Sequence, residues 1–173
     1  MTFNAVSALT EADGIYPVQP LQVDTRNTAR GNGGMSYRAR MRTPLDTDDS
    51  TPVSFSFVDG KLIGFSVELD DSHFARAMTQ IVDKYGKGEL ADDRKDEQCL
   101  YRNGANFKVN WGALSHRWTQ RISDNTVIQT SATEFTVAMC PPSLDGPALE
   151  PSTSHHISFD EIVSAPKPTS NPF

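Results

Sequence analysis

The stretch Val53 to Leu69, VSFSFVDGKLIGFSVEL, decides the fold. On its first arm Val53, Phe55 and Phe57 alternate with Ser54, Ser56 and Val58. On its second arm Ile63, Phe65, Val67 and Leu69 alternate with Gly64, Ser66 and Glu68. A period of two on both sides of Asp59-Gly60 specifies an antiparallel hairpin with one apolar face. A two-residue turn with plain pairing would set Phe55 against Gly64 and Val53 against Ser66, splitting the apolar residues between faces. A three-residue loop, Val58-Asp59-Gly60, sets Phe55 against Ile63 and Val53 against Phe65 and keeps them together. The expectation is the three-residue loop, with Gly60 in the left-handed conformation.

A helix follows directly. Asp70, Asp71 and Ser72 supply capping oxygens and negative charge at its start. Phe74, Met78, Ile81, Val82 and Tyr85 then fall on one helical stripe, and Gly86 between Lys84 and Lys87 is a natural stop. The stripe is expected to dock on the apolar face of the hairpin.

Working outward, Tyr37, Ala39 and Met41 alternate with Arg38, Arg40 and Arg42, which reads as an edge strand. Residues Lys87 to Ala105 read as a long charged loop. Phe107, Val109 and Trp111 alternate, and a second alternation after Gly112 carries Trp118 and Ile122. Asp124-Asn125 reads as a turn, and Thr126–Thr130 and Thr133–Met139 complete about four more strands. Seven of the 11 prolines lie after residue 140. The expected class is therefore α+β, an antiparallel sheet of about five to seven strands with one main amphipathic helix on one face. Residues 1–33 form an irregular N-terminal lead, 34–140 a single domain, and 141–173 a Pro/Ser/Thr-rich C-terminal tail.

The length of 173 residues suits one core. A net charge of −6 argues against nucleic acid or an anionic membrane as a bulk electrostatic partner. No apolar run approaches the roughly 18 residues of a transmembrane helix. Met1–Pro20 shows neither the basic start nor the apolar stretch of a signal peptide. The two cysteines, Cys99 and Cys140, either form a disulfide or stay as thiols, depending on the compartment.

The order of these features resembles a loose group of small, uncharacterised bacterial envelope proteins. FSFVDGKL at Phe55–Leu62, the strand Phe65–Leu69, a helix ending KYGK at Lys84–Lys87, and Asn103-Gly104-Ala105 followed by a strand and Trp118 carry the resemblance. It covers residues 53 to 130. It implies a hairpin, one helix, a further antiparallel sheet and an envelope setting, and it transfers no functional residue.

Among candidate sites the arginines stand out. With Arg26 and Arg30, the trio Arg38, Arg40 and Arg42 places five of ten arginines within seventeen residues. Three guanidinium groups on one strand face suit carboxylates or phosphates in forked geometry, and the partner expected is a protein with an acidic surface. The alternative is that they guard an open sheet edge or pair with Asp46, Asp48 and Asp49.

Other motifs carry less. Gly31-Asn32-Gly33-Gly34 lacks the Lys-Ser/Thr of a phosphate loop and reads as a linker. Asp46-x-Asp48-Asp49 lacks the glycine of a calcium loop, and its closing position falls on Phe57. His155-His156 with Asp160 and Glu161 contains metal-ligating types, but neighbouring histidines diverge on a regular backbone, and a solvated tail explains them. Cys99 with His116 has no catalytic-thiol signature around it. Trp111 and Trp118 read as core or pocket-edge residues. No cofactor is expected.

The function expected is a non-catalytic protein-binding module, of inhibitor, immunity or assembly type. The alternatives are a small-ligand carrier with its pocket between helix and sheet near Trp111 and Trp118, and an enzyme with no recognisable motif.

Overall fold

A computed structural model describes residues 1–25, 34–44, 46–141 and 151–163; for residues 46–49 it describes the backbone alone. The described elements are α1 (Phe3–Ser7), a 3₁₀ turn (Glu11–Asp13), β1 (Tyr16–Pro17), β2 (Gln22–Val23), β3 (Met35–Thr43), β4 (Asp46–Val58), β5 (Lys61–Leu69), α2 (Asp71–Tyr85), β6 (Glu89–Asp92), β7 (Lys95–Leu100), β8 (Asn106–Arg121), β9 (Thr126–Val137) and β10 (Ser152–Val163). The strands form a single ten-stranded antiparallel sheet in the order β1-β3-β4-β5-β10-β9-β8-β6, with β2 also on β3 and β7 also on β8. The protein is thus mostly β, and the α+β expectation of five to seven strands around a main helix does not hold.

Three misreadings account for the difference. The supposed tail contains β10, which is inserted between β5 and β9 in the middle of the sheet, with Ile157 opposite both Val67 and Ala132. The supposed charged loop Lys87–Ala105 contains β6 and β7, whose largely exposed side chains carry no alternation of apolar and polar residues. The supposed lead contains α1, β1 and β2, and its Val6 is one of the most buried side chains, packed with Met41, Val53, Phe55 and Phe57. The four later strands are in fact two long ones. Of these, β8 changes partners at Gly112 (φ 122°), pairing first with β7, then with β6 and β9.

The hairpin β4–β5 solves its parity problem in another way. Its loop has two residues, Asp59 (φ 49°) and Gly60 (φ 73°), both left-handed as a type I′ turn requires. Phe57 pairs with Leu62, but Ser56 pairs with Gly64, so Ile63 is an extra residue in a bulge. Beyond the bulge Phe55 faces Phe65 and Val53 faces Val67. The odd residue that keeps the apolar side chains together lies in the strand rather than in the loop.

The helix α2 forms as its pattern predicts. The Asp70 carboxylate accepts from the His73 backbone N–H at 2.9 Å, and Gly86 follows the last turn. Its stripe docks mainly beyond the hairpin. Phe74, Ala77, Met78 and Ile81 pack on Leu69, Ile157, Ala132 and Trp118, which belong to β5, β10, β9 and β8. No helix among the described residues is long and apolar enough to cross a membrane.

Candidate functional site

Both helices cover the same face of the sheet. Register places Tyr37, Phe55, Phe65, Phe159, Thr130 and Trp118 in one row across six strands, and α1 and α2 pack over this row and its neighbours. The other face carries their alternates. One row there runs Gln22, Arg38, Ser54, Ser66, Ser158, Ser131, Arg117 and Glu89, one residue from each of eight strands. The four serines are half-buried and the residues at either end exposed. Small hydroxyl side chains floor the centre, and their hydroxyl groups are linked across strands, Ser131 to Ser158 at 3.1 Å and Ser115 to Thr133 at 3.0 Å. At strand spacing, five steps separate Arg38 from Arg117 by about 24 Å.

The arginine trio occupies one end of this face, with two corrections. The strand carrying it is no edge, because β1 and β2 pair with its outer side, Tyr16 opposite Arg42 and Gln22 opposite Arg38. Nor are the three equivalent. The Arg40 guanidinium donates to Ser50, at 2.7 Å to its hydroxyl and also to its carbonyl. Arg42 is half-buried, whereas Arg38 and Arg40 line a shallow groove of about 290 Å³ together with Gln22, Glu68 and His156. Arg26, Arg30 and Gly31–Gly33, like the side chains of Asp46, Asp48 and Asp49, lie outside the described residues.

At another corner of the open face, Trp111, Phe135, Val137 and Met139 line a small cleft of about 190 Å³. They are 38–59% exposed, an apolar cluster of the kind that marks interaction surfaces. Lys95 lies over the Trp111 ring, 5.7 Å from its centroid.

The remaining candidates separate. Cys99 and Cys140 form a disulfide with Cα atoms 5.4 Å apart, so Cys99 offers no thiol to His116. His155 and His156 diverge to opposite faces, and the solvated-tail reading fails for His155. Its ring is buried against Phe74, with centroids 4.5 Å apart. Its Nδ1 lies 3.3 Å from Asp71 and its Nε2 3.4 Å from Glu134. The carboxylates of Asp13, Asp70 and Asp92 are held below their ordinary range by local hydrogen bonds, from Thr10, His73 and Arg94 respectively, and do not converge on one another.

Sequence reading missed Arg117 and the serine floor. The signal was present in Ser54, Ser56 and Ser66, the polar alternates of the hairpin. Ser158 and Ser131 become part of the same row only once β10 is placed between β5 and β9. The fold and site define a mostly-β protein with one helix-covered face and one open polar face. Comparison with protein-family models, curated proteins and solved structures finds no significant match.

Proposed function

We propose that the protein is a non-catalytic binding module that docks the open face of its sheet on an acidic protein surface. The observation that carries this reading is the run of four serines across the sheet, flanked on either side by Arg38 and Arg117. Interfaces concentrate their energy in aromatic and arginine anchors around water-excluding contacts. The row supplies a flat floor, two guanidinium groups about 24 Å apart for carboxylates, and an aromatic corner at Trp111 and Phe135. Arg40 is committed to Ser50, so it orients the face more than it reaches out. Disulfides persist in oxidising compartments, and the Cys99–Cys140 bridge accords with the envelope setting that the resemblance implies.

The test compares the native protein with Arg38→Glu/Arg117→Glu as baits for partner capture from envelope extracts, with proteins identified by mass spectrometry. Both substitutions are at exposed positions, so the melting temperature should stay within a few degrees of native. A partner recovered by the native chain and lost by the variant at low salt supports the reading. Equal recovery by two equally folded baits removes this face from the function.

A further inference from the structure

The two helices do not cover the whole apolar face. Beyond the end of α2, an open cleft of about 600 Å³ lies over β10, β9 and β8, with Phe159, Ile128 and Thr130 in its lining. This is the size of a small-molecule site. One wall is the Trp118 indole, and its position is fixed twice. Its Nε1–H donates to the Gly86 carbonyl at 2.8 Å. Its ring also lies so close to Gly88 that a Cβ there would come within 2.7 Å of it. Phe159 is likewise held, stacked on Phe65 at 4.7 Å. Both aromatic surfaces are in place before any ligand arrives.

The lip of the cleft is cationic. Lys87 lines it directly, and Lys84 lies over the ring of Tyr85, which lines it too. Glu89 and Arg117 also border the cleft, but they alternate with Gly88 and Trp118 and are cross-strand partners on the opposite, open face. Gln120 and Thr130 add neutral hydrogen-bonding groups.

From preformed aromatic walls, an apolar floor and a lysine lip we infer that this cleft is a second binding site, for a small ring-containing amphiphile bearing one acidic group. It goes beyond the open-face reading and does not depend on it. The ring system lies between Trp118 and Phe159, and the acidic group meets Lys87.

Two probes with the same rings and different charge test this on the full chain: 8-anilino-1-naphthalenesulfonate, an anion, and the neutral N-phenyl-1-naphthylamine. Both should bind saturably at one site, with enhanced emission. Lys87→Glu, an exposed change, should weaken the anion about fivefold or more and leave the neutral probe within about twofold. Ile128→Glu, checked for its native melting transition, should weaken both. In ¹H–¹⁵N spectra, saturating anion should shift the Trp118 indole N–H and the Gly88 amide. Absence of saturable binding, an anion affinity unchanged by Lys87→Glu, or shifts confined to Trp111 and Phe135 would each overturn the inference. The last pattern would place the probe on the open face instead.

Discussion

Phe65 of β5 and Phe159 of β10 lie stacked, ring centroids 4.7 Å apart and planes inclined by 24°. This pair is the seam where the C-terminal strand joins the hairpin, and it makes β10 a structural centre of the sheet. Ending the chain after Pro141 should therefore abolish cooperative unfolding, because it strips the partner from one side of both β5 and β9. Phe159→Ala, at a half-buried position, should cost about 2–3 kcal/mol in urea denaturation. A truncated chain that melts like the full one would show β10 to be dispensable.

The β4–β5 turn makes a second prediction. With φ 73° at Gly60, Gly60→Val should destabilise by about 1–2 kcal/mol, whereas Asp59→Gly should be neutral or stabilising. Deleting Ile63 removes the bulge but leaves Phe55 opposite Phe65 and Val53 opposite Val67, so the variant should keep a cooperative native fold. A normal denaturation midpoint for Gly60→Val, or loss of folding without Ile63, would contradict the turn and the bulge respectively.

The Cys99–Cys140 bridge closes a separation of 41 residues. Loop entropy for that length gives about 4 kcal/mol, and strain and residual structure commonly reduce it toward 2 kcal/mol. Alkylation of the denatured, unreduced protein should find no free thiol. The Cys99→Ala/Cys140→Ala variant should unfold at clearly lower urea concentration; an unchanged midpoint would mean that the bridge adds nothing to stability.

Acid should weaken the protein through two exposed carboxylates. Asp70 accepts from the His73 backbone N–H, the His73 ring and the Ser72 hydroxyl, which together hold it well below the ordinary 3.8. The Arg94 side chain, with its backbone N–H, lowers Asp92 to about 2. Both are depressed in the folded state, so their contribution is complete above about pH 4 and is lost as pH falls through the folded-state values. Calorimetry should show the melting temperature dropping from pH 4 to pH 2. Asp70→Asn keeps an acceptor at the helix start without the titrating charge, and should make that drop shallower. An equally steep drop would show that Asp70 does not contribute to it.

What the sequence by itself determined is the structure fixed by neighbouring residues. Alternation in Val53–Leu69 specified the hairpin, Asp70 and the Phe74–Tyr85 stripe specified α2, and Gly60 specified a left-handed turn. Each depends on side chains a few residues apart sharing one face or one cap. Alternation was also present in Ser154–Asp160, where His155, Ile157 and Phe159 interleave with His156 and Ser158. It was masked by the prolines, serines and threonines around it, and β6 and β7 have no alternation to show.

Only the tertiary structure decided which strands become neighbours. Pairing across 94 residues, as between Phe65 and Phe159, depends on burying an entire face at once, and no local pattern encodes it. The same global requirement chose the Ile63 bulge over a longer loop, since either restores parity within the hairpin. It also assembled the open face. Arg38 was visible as one of a row of arginines along the chain. Its place in a row across the sheet, with four serines and Arg117, exists only because β10 closes the gap between β5 and β9 and brings their polar alternates into register.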